Sequence, residues 1–433
     1  MSILFKDVAA VLMDEKNTVL EHAYIAVDGE TILSVGTVRP EGTFTEEIDG
    51  RGKVLMPGFV NAHTHVPMTL MRGYGDGRNL QDWLNNYIFP VEDKWDPRAI
   101  HAATALGLCE MIASGTTCIA DMYMFCEAIA QEVAAAGISA NLAQGCTQFE
   151  DGYDFKTHQG SIETRELADR WHGYNHGQIM VDACIHGEYT SHPALWEALA
   201  GYAKEKHLGM HVHVSETKRE HDECVARHGK TPTQILEQAG VFDVRAIAAH
   251  CVHTSPEDQA ILAKHHVSAI HNPCSNLKLG SGIAPIVALQ KAGVNVALGT
   301  DGVSSNNSAD MLEDLKIAAI LQNGANRDPL ALLPAQALKM ATVNGAKALG
   351  RNAGQISKGC IADLILLDFD RPHLIPRHDT ISNLVYAAHG SDVVLNMCRG
   401  KIIYRDGAFL TIDLDRVKRE VRDYALPLLF GTK

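Results

Sequence analysis

The sequence predicts an α/β protein: a (β/α)8 TIM barrel with a small β-sandwich domain formed from both chain ends. Three observations predict it. The middle of the chain alternates short β-rich apolar runs with amphipathic helical stretches. Both ends read as short strands joined by tight turns. Ligand-type side chains fall at the C-terminal ends of several of the middle strands, the face on which barrel sites are built.

At 433 residues the chain is long for one compact domain and suits a barrel core with an accessory unit. Residues 1–57 form the first part of the sandwich, where the runs 23–27 and 31–35 flank Asp28-Gly29-Glu30 in a hairpin pattern. Residues 58–354 form the barrel. Its strands are expected at 58–61, 116–121, 139–144, 180–185, 209–214, 246–250, 267–271 and 294–299. Helical stretches at 99–113, 125–136, 193–205, 232–238, 256–264 and 285–292 lie between them, and helices after Asp310 and over 334–349 close the ring. Residues 355–433 complete the sandwich through apolar runs at 363–368 and 393–399 and the turn Asp406-Gly407, followed by a terminal helix. The segment 66–98 is too long for a plain connection. It carries Trp83, Tyr87 and Trp95 and is expected to form a lid over the substrate.

Composition narrows the function classes. With 38 basic and 52 acidic residues the formal charge is −14, which argues against nucleic acid or an anionic membrane as a partner. No run of about 18 apolar residues suggests a membrane span. Lys6 and Asp7 interrupt the start, so it does not read as a signal peptide. Ten cysteines without a Cys-x-x-Cys pair describe neither a zinc finger nor a disulfide framework. These features point to a cytoplasmic protein acting on a small molecule.

The 22 histidines are informative by their placement. In Pro57-Gly58-Phe59-Val60-Asn61-Ala62-His63-Thr64-His65 an apolar strand ends in two histidines at i and i+2, which sets both imidazoles on one face. The fifth strand ends His211-Val212-His213-Val214-Ser215-Glu216, the sixth Ala249-His250-Cys251, and the eighth Gly299-Thr300-Asp301-Gly302. Histidines with one carboxylate suit Zn²⁺ or Fe²⁺ with a position left open for water.

The pieces PGFVNAHTH, HVHVSE, AHCVH, HNPCSNLKLGSGIAP and LGTDGVSSNN resemble the amidohydrolase superfamily. They resemble in particular its branch of adenosine-type, S-adenosylhomocysteine, methylthioadenosine and 5'-deoxyadenosine deaminases, related to triazine chlorohydrolases. The resemblance implies that His63, His65, His213 and Asp301 hold a metal. It implies that Asp301 takes the proton of the attacking water, that His250 hydrogen-bonds that water, and that Glu216 shuttles a proton to the substrate ring. His211, one layer deeper on the same strand face as His213, is expected to be a buried supporting histidine and not a ligand. His186 stands where dinuclear relatives have a bridging lysine, so one divalent ion per chain is expected, zinc first, with iron or manganese also suited to the donors.

Substrate contacts are implied for Glu92, as acceptor of the ribose hydroxyls, for His186 and for Glu216, and Trp83 is a candidate for stacking on a ring or thioether. The chain departs from the family's Pro-His-x-Pro-Tyr-Thr at the fourth strand, with Ile185 and Glu188 at the proline positions. An arginine of nucleoside-deaminating relatives is replaced by Ser161, with Arg165 nearby. The expected activity is hydrolytic deamination of an adenine-type nucleoside by a homo-oligomeric enzyme. A hydrolase of a free base, pterin or triazine on the same fold is the alternative, and a barrel without catalysis a third reading.

Overall fold

A computed structural model describes residues 2–431. The chain begins with β1 (Ser2–Val11), β2 (Val19–Asp28), β3 (Thr31–Gly36), β4 (Glu46–Asp49) and β5 (Lys53–Pro57). Only Gly58 separates β5 from β6 (Phe59–Thr64), the first strand of the second sheet. That sheet continues through β7 (Thr116–Tyr123), β8 (Ser139–Gln144), β9 (Ile179–Ile185), β10 (Gly209–Val214), β11 (Ala246–His250), β12 (Ser268–His271) and β13 (Asn295–Leu298). The chain then returns through β14 (Leu364–Asp368), β15 (Val393–Cys398), β16 (Lys401–Arg405) and β17 (Ala408–Phe409).

β6 to β13 pair in parallel in chain order, each neighbour separated in sequence by helix, which is the barrel the alternation predicts. All but the rim positions of these strands are buried, so their residues read as continuous apolar runs interrupted only at the functional ends. The ring closes between its last and first strands through side chains and loop. Asn61 Nδ2 donates to Thr300 Oγ1 at 2.7 Å, and its Oδ1 accepts from Thr300 N at 3.0 Å. Asp301 N donates to His63 O at 3.0 Å. Gly299 lies in this seam, where a Cβ would stand 2.6 Å from Asn272 Oδ1 and 2.8 Å from His63 O. No larger residue fits that approach.

Both ends of the chain join one nine-stranded sheet, in the order β17-β16-β15-β14-β5-β1-β2-β3 with β4 added on β1. The splice is β5, which pairs in parallel with β1 and antiparallel with β14. Phe5, Ile25, Leu55, Leu364, Leu366 and Leu395 share its apolar cluster. The strands that the sequence places in one small domain from both chain ends thus form one hydrogen-bonded path. The terminal helical segment leaves this sheet. Leu414–Glu420 and Val421–Ala425 pack beside the barrel helix Pro97–Ala113, where Arg98 pairs with Glu420 at 2.9 Å, and just before that helix Lys94 Nζ donates to Leu429 O at 2.9 Å.

The segment 66–98 forms short helical turns: Val66–Met71, Leu80–Trp83, Leu84–Ile88 and Phe89–Glu92. Leu80, Trp83, Leu84, Ile88, Val91 and Trp95 are buried in the main core. The lid is therefore a packed cover rather than a loose loop.

Candidate active site

The C-terminal rim of the barrel gathers the histidines from strands on opposite sides of the ring, β6 on one and the neighbours β10 and β11 on the other. His63 and His65 come from the end of β6, His213 from β10, His250 from the end of β11, and Asp301 from just beyond β13. One potential ligand atom each from His63, His65 and His213 lies within 4.8 Å of the others, and the same holds for His63, His250 and Asp301. Asp301 Oδ1 stands 3.3 Å from His63 Nε2 and 3.2 Å from His65 Nε2. Backbone strain accompanies this convergence. His250 and Asp301 have φ of 72° and 62°, left-handed values that cost side-chain-bearing residues of order 1–3 kcal/mol and cluster where function demands them.

Each imidazole is oriented through its far nitrogen. His65 Nδ1 donates to Met122 O at 2.5 Å and His213 Nδ1 donates to His186 O at 2.6 Å, because a carbonyl can only accept. His63 Nδ1 meets His211 Nε2 at 2.8 Å, so His211 is a buried support for His63. Fixing Nδ1 turns each Nε2 towards the centre. Asp301 is fixed in the same way: Ser275 Oγ donates to Oδ2 at 2.6 Å and Ser305 Oγ at 3.0 Å, leaving Oδ1 facing the histidines.

This donor set fits a divalent cation. Three imidazole nitrogens and a carboxylate oxygen converge in a buried space, and His63 Nε2 has no hydrogen-bond partner. Burial lowers His63 to about 3, and burial followed by His186 holds His213 well below the usual histidine value, so both are neutral donors. Burial opposes the charged form of His65 too, yet Asp301 outweighs it and lifts His65 to about 9. Burial likewise works to raise Asp301, and the close approach of His63 and His65 overcomes that and holds it well below the usual carboxylate range. Positive charge is thus wanted at this point, and neutral imidazoles with one carboxylate are the ligands that zinc and its neighbours take.

Glu216 lies beside the cluster, 4% exposed, with Oε2 3.8 Å from His250 Nε2. Burial raises its carboxyl although His250 pulls it down. Its backbone is held by Glu220, which accepts from Ser215 N at 2.9 Å and Glu216 N at 2.7 Å and caps the helix Lys218–His228. His250 Nδ1 is tied to Asn276 Oδ1 at 2.8 Å, which leaves its Nε2 towards Glu216.

Residues 54–403 match the amidohydrolase family. The chain belongs to the amidohydrolase family. It is 41% identical to a 5-methylthioadenosine/S-adenosylhomocysteine deaminase of Thermoanaerobacter pseudethanolicus over 431 residues, 99% of this chain and 100% of the relative. It is 40% identical to a 5'-deoxyadenosine deaminase of Methanocaldococcus jannaschii over 404 residues, 92% and 95% of the two chains. Its fold is similar to that of an adenosine deaminase from Xanthomonas campestris crystallised with bound zinc, with a TM-score of 0.93, 31% identity and 98% of each chain covered.

A cavity of about 570 Å³ opens above the cluster of this amidohydrolase. His65, His186, His213, Glu216, His250 and Asp301 form part of its lining, and Trp83 and Glu92 from the lid face it too. Glu92 Oε1 accepts from Tyr123 OH at 2.7 Å, and burial raises the Glu92 carboxyl although Tyr123 and His65 oppose this. Burial lowers His186 to about 4, and its Nδ1 lies 3.1 Å from Thr190 Oγ1. Sequence reasoning missed Tyr123 and Ser275. Both sit at or just past strand ends, which was the available signal, but neither is a residue type that announces metal chemistry.

The departures noted in sequence take definite places. Arg165 donates to Ser161 O at 3.2 Å and Lys156 O at 3.1 Å and lies against Phe155, outside the cavity lining. Ser161 bonds Tyr153 and His158, each at 3.0 Å. Ile185 is buried in the main core. Glu188 is 3% exposed and pairs with Arg227 at 2.5 Å, joining the loop after β9 to the helix Lys218–His228.

Proposed function

We propose that this amidohydrolase deaminates an adenine-type nucleoside hydrolytically, giving the inosine analogue and ammonia. Adenosylhomocysteine, methylthioadenosine, 5'-deoxyadenosine and adenosine are the candidates. The observation that carries the reading is the buried carboxyl of Glu216 set against the same cavity as the His/Asp cluster. Relatives with the same length and architecture carry deaminase names.

His63, His65, His213 and Asp301 would hold one divalent ion. When bound, such an ion lowers the pKa of water to about 7 and so supplies the nucleophile at neutral pH. Asp301 stays ionised and accepts the proton of the attacking water, its orientation kept by Ser275 and Ser305. His250 offers Nε2 to the incoming water. Burial keeps a proton on Glu216 to higher pH than an exposed glutamate, and that proton goes to the ring nitrogen next to the attacked carbon. As the carbon–nitrogen bond breaks, Glu216 takes the proton of the hydroxyl that becomes the carbonyl and relays it to the leaving amine, which departs as ammonia, and the proton held by Asp301 restores Glu216. Glu92 has one oxygen held by Tyr123 and the other free to accept from a ribose hydroxyl. His186, neutral, contacts the substrate beside it, and Trp83 offers an aromatic face.

The ion is read as zinc, with iron or manganese suited to the same donors, and one per chain. The enzyme is read as a cytoplasmic homo-oligomer, in keeping with ten unpaired cysteines. Two metal equivalents in the active enzyme would overturn the single-ion reading. The deciding assay is ammonia release from adenosine, 5'-deoxyadenosine, methylthioadenosine, guanine and cytosine, with chloride release from a chlorotriazine, by metal-replete protein and by Glu216→Gln. Release from the adenosines is expected, with kcat down about 10²–10⁴-fold in the variant at unchanged metal content. Turnover of a free base or triazine alone would sink the nucleoside reading.

A further inference from the structure

The relatives' names couple two substrates with very different 5' groups, one ending in a methylthio group and one in an amino-acid zwitterion. The cavity distinguishes them. Its charged lining residues are Glu92, Asp93, Glu216 and Asp301, and among the described residues no lysine or arginine lines it. The cations next in sequence to its lining are engaged elsewhere. Arg78 stacks over Tyr87 and pairs with Asp82. Lys94 donates to Leu429 O. Lys278 bonds Ser304 O and Asn307 and pairs with Asp76. Arg165, the candidate for an arginine that sequence alone leaves open, is also turned away. The lid side is instead apolar, with Leu80, Trp83, Leu84, Phe89, Phe149 and Leu279.

We propose that this pocket selects adenosine-type substrates whose 5' group is uncharged and apolar, and discriminates against those whose 5' group ends in a carboxylate. The inference rests on the deaminase reading and refines it. A carboxylate leaving water needs a cationic or multiple N–H partner. Away from the histidines that face the His/Asp cluster and the hydroxyls of Thr147, Tyr189 and Ser305, it would meet acidic side chains and apolar surface, with no lysine or arginine to receive it. A methylthio group would instead gain apolar contact with the lid.

The test compares kcat/KM for methylthioadenosine, 5'-deoxyadenosine, S-adenosylhomocysteine and the methyl ester of S-adenosylhomocysteine, by ammonia release from the metal-replete protein. The acid is expected at least about 100-fold below methylthioadenosine, a discrimination of the size that an unpaired buried group produces. The ester, nearly the same size without the carboxylate, is expected to recover most of that loss. Phe149→Arg, placing a cation at the rim, is expected to narrow the gap between acid and ester. Equal kcat/KM for the acid and methylthioadenosine overturns the selectivity while leaving the deaminase reading intact. An ester as poor as the acid shows that size decides, and overturns the charge argument. Ammonia from none of the adenosines fails the deaminase reading itself.

Discussion

His211 shows how a residue away from the reacting atoms sets the site. Its Nε2 holds His63 Nδ1 at 2.8 Å, and burial followed by His63 keeps His211 well below the usual histidine value. Neutral His211 accepts the Nδ1 proton of His63 and leaves the opposite nitrogen as a lone pair. A leucine side chain in its place removes that acceptor while keeping an apolar core position. His211→Leu is expected to weaken metal affinity about 10–100-fold, read by competition with a chromophoric chelator, with secondary structure unchanged. Unaltered affinity would reduce His211 to packing. At this scale the sequence displayed the residues that converge and hid most of what aims them. The convergence of His63, His65, His213 and Asp301 was legible because strand ends and two-residue spacing fix direction. The carbonyls of Met122 and His186 that aim His65 and His213 were not, since any residue type carries a carbonyl.

The helix Met311–Asn326 fastens the rim from outside through one fully buried carboxyl. Asp314 accepts from Asn306 Nδ2 at 2.8 Å and from Cys274 N at 3.3 Å, linking the segments that follow β13 and β12. Burial raises it to about 7, against those hydrogen bonds. The folded protein therefore keeps a proton that the unfolded chain, with its carboxyl near 4, gives up. Its contribution to stability is complete below about pH 4 and is lost as pH rises to about 7. Asp314→Asn has no such proton. Urea unfolding of both proteins between pH 5 and 7 should show the variant gaining on the parent by up to about 1.4 kcal/mol per pH unit. Parallel profiles would refute the buried proton. Elements with apolar faces were legible within a few residues, as at β8 and at the helix Pro256–Lys264. The helices Gln159–Trp171 and Lys218–His228 were not singled out. The first buries Ser161 and Thr164 ahead of Leu167, Ala168 and Trp171, so its apolar stripe covers only its second half, and the second buries only Glu220 and Cys224.

At the scale of the whole molecule, the residues proposed to hold the ion come from the end of β6, from β10 and from the segment after β13, so a bound ion would cross-link distant parts of the ring. Ligand binding stabilises the folded state by about 4 kcal/mol at a thousandfold excess over Kd. Stripping the ion with a chelator is expected to lower Tm by roughly 4 °C for a chain of this size, with recovery on adding zinc. An unchanged Tm would mean that the ring holds its rim without help. The alternation that makes the barrel was readable because every strand and most helices repeat one pattern. The joining of the chain ends was readable only as composition, since apolar runs do not name their partners and β5 finds β1 on one side and β14 on the other. That splice also has a biosynthetic consequence. β5 leads through a single residue into the strand bearing His63 and His65, yet its β14 neighbour is made only after the entire barrel. At about 5–20 residues per second, roughly 15–60 s of translation separate the two. For most of that interval the first pair of histidines is without Asp301, and for all of it without the closing sheet, so the proposed metal site is complete only late in synthesis.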